Sequence, residues 1–210
     1  MIRLGIIPAA GKATRFGGLF KELSIIGEGE TLLSRTVDTL EAVPVDTSLV
    51  VTSYYKIATH AMALAGRRVK FSIQRSYELD AWGAIIESFD CAADFNYYLM
   101  PDTWQTKDTL PKNPKKDFTL GLFETSNPSR FGILSGGQII DKPNLTGFFD
   151  AWGAVVWSKR VVDFWLTQKI ESHTHAFNLA MNEFGFDTYR IPSYRDISSF
   201  DDYKRLIDHV

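Results

Sequence analysis

The first residues of this chain that could do chemistry lie in the stretch GIIPAAGKATRFGGLFKEL, at residues 5–23. An apolar run ends at Pro8, and the small residues Ala9, Ala10 and Gly11 follow directly. Small side chains let a ligand approach backbone N–H groups, which suit phosphate oxygens. The pattern predicts a phosphate-binding loop, and a tight turn between a strand and a helix is the alternative that the loop alone leaves open.

Three cations accompany the small residues, namely Lys12, Arg15 and Lys21. An arginine can hold a phosphate through two parallel hydrogen bonds, and a lysine adds a compact point charge. The loop is not a P-loop, because no G-K-[ST] triplet follows it. We therefore expect these cations to bind phosphate, and cations that only face solvent are the alternative.

Two aspartates could hold a metal ion. Asp102 follows the apolar run FNYYLM, and Asp196 lies in SYRDISSFDDY. Carboxylate oxygens bind hard cations, so two carboxylates at strand ends would suit Mg²⁺ that bridges phosphates. Either aspartate could instead cap a turn, which is a common role of this residue.

Three more residues could bind a ligand. Lys142 lies in the segment DKP and could reach an anionic substrate, although an exposed turn lysine is the commoner case. His173 and His175 form an H-x-H pair that could ligate a transition metal in an extended segment. No cysteine lies nearby and no third ligand is evident, so the pattern disfavours that metal site.

Composition limits the classes of protein to which this chain can belong. It has 210 residues, 45% of them hydrophobic, a formal net charge of −2 and a single cysteine, Cys91. These values predict a globular chain, exclude an internal disulfide and disfavour a broad nucleic-acid interface. No apolar run reaches about 18 residues, and a lysine interrupts the first one too early for a signal peptide. We expect a cytoplasmic protein whose partners include neither membrane nor nucleic acid.

The elements that must position these residues alternate over the first half of the chain. Apolar and β-branched runs predict strands at 3–9, 48–54, 69–74 and 95–102. Helical periodicity predicts helices at 31–43, 56–66 and 80–93. Alternating strands and helices predict an α/β fold with a mainly parallel sheet, which binds ligands beyond the carboxyl ends of its strands. The loop at 8–21 and Asp102 would then share one edge.

The second half of the chain is less regular. Residues 102–117 are polar and contain two prolines, which predicts a loop or a mobile flap. Further strands are predicted at 118–124, 151–157 and 187–192, and a hairpin at 130–143. Helices are predicted at 158–169, 174–185 and 200–209. No break in composition marks a domain boundary.

These segments together resemble the sugar-1-phosphate nucleotidyltransferases, also called nucleoside-diphospho-sugar pyrophosphorylases. The opening IIPAAGKATRFGGLFKEL is similar to the signature of that family, which is a strand, then A-[AG]-G-x-[GA]-T-R, then K-E-L. The agreement continues in order through LMPDT (99–103), RFGIL (130–134), DKP (141–143), WGAVVW (152–157) and YRDISSFDDYKR (194–205). It covers nearly the whole chain.

The resemblance implies a Rossmann-like nucleotide-diphospho-sugar transferase fold, a mixed, mainly parallel sheet flanked by helices. It implies one domain at 1–210, with a nucleotide-binding half at 1–102, a sugar-phosphate-binding half at 103–210 and no appended regulatory domain. The implied reaction is Mg²⁺-dependent transfer of a nucleotidyl group from an NTP to a sugar 1-phosphate, with release of pyrophosphate. The two substrates would be the partners, and the oligomeric state stays open, a homodimer included.

Site residues carry over from the family position by position. Arg15 would neutralise the leaving pyrophosphate, Lys21 would contact the reacting phosphates, and Asp102 would be the third catalytic residue. Asp102 would also hold Mg²⁺ together with Asp196. The residues that would bind the nucleotide are Ala9, Ala10, Gly11, Lys12 and Gln74, the last by reading the base. The residues that would bind the acceptor are Lys142, Gly153 and Glu171.

Departures from the family pattern bear on the choice of substrates. Asp80, in the segment LDAWG, stands where a glycine that contacts the base is usual. Pro101 before Asp102 is shared with members that use UTP or dTTP, so these two nucleotides are favoured. Transfer to another phosphorylated alcohol, such as phosphocholine, is the alternative reaction. A nucleotide- or sugar-binding protein without turnover is the alternative class.

Overall fold

A computed structural model describes residues 1–12, 16 and 20–208. Within this part of the chain the strands are β1 (Arg3–Pro8), β2 (Ile25–Gly27), β3 (Glu30–Thr31), β4 (Thr47–Thr52), β5 (Val69–Ile73), β6 (Phe95–Leu99), β7 (Thr103–Gln105), β8 (Phe118–Thr125), β9 (Gly132–Ser135), β10 (Gln138–Asp141), β11 (Phe149–Ser158), β12 (Asp187–Arg190) and β13 (Tyr194–Asp196). The α-helices are α1 (Leu32–Ala42), α2 (Ile57–Ala63), α3 (Asp80–Ile86), α4 (Lys159–Trp165), α5 (His173–Phe184) and α6 (Phe200–Ile207).

The central sheet is mixed, with a parallel part built from the first half of the chain. There β5, β4, β1 and β6 are neighbours in that order, and all three pairings are parallel. β11 joins β6 in antiparallel pairing and also contacts β8 and β9. Parallel strands that are neighbours end at the same edge, so the segments after β1, β4, β5 and β6 meet there. The predicted Rossmann-like α/β fold is confirmed.

One face of the sheet is covered by α3, α4 and α5. Trp82, Trp157 and Trp165 are buried in this layer, where the ring of Trp165 makes edge contacts with the other two at centroid distances of 5.6 and 5.3 Å. Large aromatic side chains bury much apolar area, and edge-to-face pairs add to that gain. These three tryptophans therefore form the core and do not face the ligand edge.

The other face is covered by α1, which begins with a capping box. Thr31 Oγ1 accepts from the N–H of Ser34 at 3.1 Å, and Ser34 Oγ accepts from the N–H of Thr31 at 2.8 Å. Leu40 of this helix packs against β1 at Gly5, where a Cβ would lie 2.7 Å from Leu40 Cδ1. Glycine at this position lets the helix approach the strand that leads into the phosphate loop.

Two short sheets depart from the sequence prediction. β2 pairs with β3, and β7 pairs with β13 so that Asp196 lies opposite Thr103. The prediction of a loop or flap over 102–117 is therefore wrong at its start, where β7 forms. Strands of three residues are too short to show periodicity, and the partner of β7 lies far along the chain. The pairing continues with a hydrogen bond from the Ile197 N–H to the Asp102 carbonyl, at 2.9 Å.

Within the described ranges, no helix has both the length and the apolar character that crossing a lipid bilayer would require.

Candidate functional site

A cavity of about 670 Å³ opens at the edge where the parallel strands end. Its wall includes the segments that follow β1, β5 and β6, and residues from the hairpin β9–β10. Open α/β sheets bind their ligands at this edge, and the volume is that of a small-molecule site.

Most of the site residues predicted from the sequence lie in the wall of this cavity. Those that line it are Ala9, Ala10, Gly11, Lys12, Lys21, Gln74, Asp102, Lys142 and Asp196. Gly153 and Glu171 are not among the lining residues. Arg15 lies outside the residues that the structure describes.

Gly153 gives room to an aromatic side chain. A Cβ at this position would lie 2.5 Å from the ring of Tyr194 and 3.1 Å from that of Phe123, and these two rings stack with centroids 3.9 Å apart. The glycine is therefore required for packing. Glu171 is exposed in the segment before α5. Acceptor binding by these two residues stays a prediction.

Lys21 and Asp102 face one another in the cavity. Lys21 lies in the 3₁₀ turn Lys21–Leu23, and its ammonium donates to Oδ2 of Asp102. Asp102 is 7% exposed, and its Oδ1 is buried without a hydrogen-bond partner in the described part of the chain. A buried acceptor without a partner is costly, so this oxygen is suited to a ligand.

Arg130 connects Asp196 to the start of α6. Its Nη2 donates to Asp196 Oδ2 at 2.5 Å and to Asp202 Oδ2 at 3.1 Å. Burial raises the pKa of Asp196, and the nearby charge of Asp102 raises it further, although Arg130 acts in the opposite direction. Asp102 and Asp196 are thus close enough to repel one another. From the sequence, Arg130 was recognised only as part of the segment RFGIL, with no role of its own.

The acid stability of this region is expected to depend on Asp202. Burial acts to raise the pKa of this carboxyl, but hydrogen bonds from Arg130, Ser199 and Arg205 outweigh burial and hold the pKa below its ordinary value. A carboxyl with a lower pKa in the folded state stabilises the fold above its unfolded pKa, and this contribution is lost as the pH falls toward the folded pKa. We expect Asp202→Asn to reduce the loss of unfolding free energy below about pH 4.

Urea unfolding of both proteins at a series of pH values measures this effect. The exposed residue Asp187 on β12 provides the matched control, Asp187→Asn. Equal acid dependence in the Asp202 variant, the control and the unaltered protein would contradict the assignment.

Asp102 and Asp196, two of the carboxylates in the cavity wall, fit a divalent cation that substrate phosphates help to hold. In residues 1–12, 16 and 20–208, no group of three or more His, Cys, Asp or Glu side chains is arranged to bind a metal. Mg²⁺ usually takes one or two carboxylates and completes its shell with water and phosphate oxygens. The unpartnered Oδ1 of Asp102, with Asp196 nearby, fits that mode of binding.

Trp152 and His173 add an aromatic part to the cavity wall. Their ring centroids lie 5.8 Å apart, and Trp152 Nε1 is buried with no partner among the described residues. Burial lowers the pKa of His173, so its imidazole is neutral at pH 7. In the sequence, His173 is notable only as part of an H-x-H pair that is disfavoured as a metal site. Its place beside β11 depends on how α5 packs, which no local pattern encodes.

Two lining residues have a left-handed backbone, namely Asp80 with φ of 46° and Lys142 with φ of 45°. Residues other than glycine rarely adopt this region, at a cost of about 1 kcal/mol or more, and such strain is concentrated at functional sites. Asp80 stands where the resemblance places a glycine, and its backbone retains a conformation typical of glycine.

Gln74 has one amide atom left for a ligand. Its Nε2 donates to the carbonyls of Ser76 at 3.1 Å and Asp80 at 2.9 Å. Both partners are acceptors, which fixes the orientation of the side-chain amide. Oε1 is therefore the atom with which Gln74 could read a base.

A comparison with protein families now identifies the first half of the chain. Residues 5–101 match the family model described as the MobA-like NTP transferase domain. This stretch, slightly less than half of the chain, is similar to a MobA-like NTP transferase domain. The matched stretch contains the phosphate loop, Lys21 and Gln74, and it ends directly before Asp102. The resemblance to nucleotidyltransferases is confirmed.

Three solved structures share the fold of this chain. A protein assigned as a glucose-1-phosphate thymidylyltransferase from Bacillus anthracis, in complex with a sucrose, has a TM-score of 0.84 at 17% identity, covering 98% of this chain and 94% of its own. The inositol-1-phosphate CTP transferase from T. maritima has a TM-score of 0.74 at 17% identity, with 99% and 95% covered. HddC from Yersinia pseudotuberculosis has a TM-score of 0.74 at 19% identity, with 99% of both chains covered.

At these identities the likeness establishes the fold alone, but it extends to the part of this chain beyond residue 101. No curated protein sequence matches significantly.

Proposed function

We propose that this protein moves a nucleotidyl group from an NTP to the phosphate of a sugar 1-phosphate and releases pyrophosphate. The observation that carries the proposal is one cavity lined by the loop 9–12, Lys21, Asp102, Lys142 and Asp196. Both substrates bring phosphates, and this wall combines backbone donors and cations with several carboxylates, Asp102 and Asp196 among them. A site that only bound a nucleotide would not need both Asp102 and Asp196.

In the proposed reaction an oxygen of the acceptor phosphate attacks the α-phosphorus of the NTP. The bond between the α-phosphorus and the bridging oxygen breaks, and pyrophosphate leaves with that oxygen. Such transfer depends on in-line placement and on neutralisation of charge, with little covalent work for the protein. Its residues therefore act by holding phosphates in position.

Each group of the wall has a role in this scheme. The N–H groups of the loop 10–12 and the guanidinium of Arg15 would bind the phosphates that leave as pyrophosphate. Lys21 would neutralise the α-phosphate, and Lys142 would bind the acceptor phosphate. Mg²⁺, when held by Asp102 and Asp196, would neutralise the phosphate oxygens further.

The cavity wall suits an acceptor that carries hydroxyl groups, as a sugar 1-phosphate does. Trp152 Nε1 is a donor without a partner among the described residues, and neutral His173 offers one donor and one acceptor, so both suit hydroxyl groups. Two proteins of similar fold are named for such substrates, glucose 1-phosphate and inositol 1-phosphate. Phosphocholine is the alternative acceptor that a direct comparison must include.

The nucleotide favoured here is UTP or dTTP, on the grounds of the segment Pro101–Asp102. Residues 1–102 would bind it and residues 103–210 would bind the acceptor, within one domain. The lining residues agree with this division, since the phosphate loop and Gln74 come from the first half and Lys142 and Trp152 from the second.

Release of pyrophosphate tests the proposal directly. Each NTP and dTTP is incubated with a panel of sugar 1-phosphates, inositol 1-phosphate and phosphocholine, with and without Mg²⁺. Mg²⁺-dependent release with UTP or dTTP and a sugar 1-phosphate is the expected result. Release of pyrophosphate with phosphocholine alone would show that phosphocholine, and not a sugar 1-phosphate, is the acceptor. Nucleotide binding without release for any pair would favour a binding protein without turnover.

A further inference from the structure

A buried lysine lies behind the phosphate loop. Lys56, directly before α2, is 1% exposed, and its sequence context gave no sign of a role. Its Nζ lies 3.3 Å from the carbonyl oxygen of Ala9, 2.5 Å from that of Gly11 and 2.7 Å from Oε1 of Glu22. An ammonium has three N–H donors, so these three acceptors account for all of them. Lysine is almost never fully buried unless it is paired in this way.

The acceptor Glu22 belongs to the turn that carries Lys21. Glu22 is 2% exposed, and its Oε1 also accepts from Nε2 of His60 at 2.9 Å. Nδ1 of His60 lies 2.9 Å from the hydroxyl of Thr52, the last residue of β4. Burial acts to raise the pKa of Glu22, but His60 and Lys56 outweigh it and lower the pKa, so the carboxylate is ionised. The network joins the sheet edge, the loop and the Lys21 turn.

The contacts of Lys56 with two carbonyls fix the direction of the neighbouring N–H groups. In a planar trans peptide the N–H points opposite to the carbonyl of the preceding residue. The carbonyls of Ala9 and Gly11 are directed at Lys56, so the N–H groups of Ala10 and Lys12 are directed away from it. Both of these residues line the cavity. The N–H of Ala9 itself is bound to the Val51 carbonyl of β4 at 2.7 Å.

We propose that Lys56 is a positioning residue that aims the loop donors at the triphosphate and, through Glu22, holds the turn that carries Lys21. This inference rests on the proposed binding of an NTP at the loop. Lys56 and Glu22 are among the lining residues of the cavity, but protein acceptors already take all three N–H donors of Lys56, so its ammonium would donate to no substrate. Its effect would fall on the nucleotide and not on the acceptor, which binds elsewhere in the cavity.

Lys56→Met tests the proposal, with Lys70→Met on the exposed side of β5 as the matched control. Binding of ATP, UTP, dTTP and inorganic tripolyphosphate is measured by calorimetry, and KM is measured for each substrate. We expect Lys56→Met to weaken tripolyphosphate and nucleotide binding by about 10- to 100-fold, with the KM of the acceptor changed less than about twofold. Lys70→Met should leave all of these values unchanged.

A second variant keeps the proposal testable if Lys56→Met does not fold. Lys56→Met leaves Glu22 with one partner fewer in a buried position, whereas Lys56→Met with Glu22→Gln leaves no unpaired buried charge. The double variant should show the same selective loss of tripolyphosphate binding. A folded variant of either kind that melts earlier but binds tripolyphosphate as tightly as the unaltered protein would overturn the proposal and leave Lys56 a structural role only.

Failure of the proposed function gives a different pattern. If the unaltered protein binds tripolyphosphate but releases no pyrophosphate with any acceptor, the function is wrong, and the loss of binding in Lys56→Met still supports the positioning role. If both variants lose affinity for the acceptor and the nucleotide alike, the selective role of Lys56 is wrong while transfer stands.

Discussion

Replacing Asp102 by asparagine is expected to lower the turnover of nucleotidyl transfer by about 10³-fold or more while the chain stays folded. Asparagine keeps the shape of the side chain and an oxygen that can accept from Lys21, but it removes the negative charge that a divalent cation requires. Oδ1 of Asp102 is buried and has no hydrogen-bond partner among the described residues, so it is the oxygen available to bind the cation. Pyrophosphate release at saturating substrates and Mg²⁺ measures the change.

The matched control for this variant is Asp163→Asn on α4. Asp163 is exposed and pairs with Lys159 at 3.3 Å, a surface contact that contributes little to stability. It is not a lining residue of the cavity, so its variant should keep normal turnover. Thermal unfolding of both variants checks that they are folded. An Asp102→Asn protein within tenfold of normal turnover would mean that the metal is held elsewhere.

The phosphate loop and Asp102 could be predicted from the sequence because their signals are local. Ala9, Ala10 and Gly11 follow one apolar run directly, and Asp102 follows another. Alternation of strands and helices then implies a parallel sheet, whose strands end at one edge. Local pattern and general topology together are enough to bring these residues to one cavity.

The partnership of Asp102 with Asp196 could not be derived in the same way. It depends on the pairing of β7 with β13, and each of these strands has only three residues. Neither has enough length for an alternating pattern, and their sequence separation is large. The resemblance to a family predicted Asp196 as a site residue. The hydrogen bond from Arg130 to Asp196 was found only in the structure.

The buried network of Lys56 and Glu22 beside the phosphate loop could not be predicted from the sequence either. Lys56 is the first residue of the helix predicted at 56–66 and lies just before α2 in the structure, where a lysine ordinarily faces solvent. Its burial is explained only by Glu22, which comes from a distant turn, and by carbonyls that carry no sequence signal. The contact between Trp152 and His173 could not be predicted from the sequence either, because it depends on the packing of α5 beside β11.

Replacing Lys21 by methionine is expected to lower turnover by about 10²- to 10³-fold, because one cation next to the reacting phosphates is lost. Lys115→Met, in the exposed part of the segment 102–117, is the control and should keep normal turnover.

Combining Lys21→Met with Asp102→Asn gives the sharper result. The two side chains contact one another, and both would neutralise charge on the same phosphates, so they act as a unit. Effects of groups that act as a unit are strongly non-additive. We expect the double variant to be little slower than the slower single variant, when turnover is measured for all four proteins. A loss equal to the product of the two single losses would show that Lys21 and Asp102 act independently, and the shared role at the transferred phosphate would then be wrong.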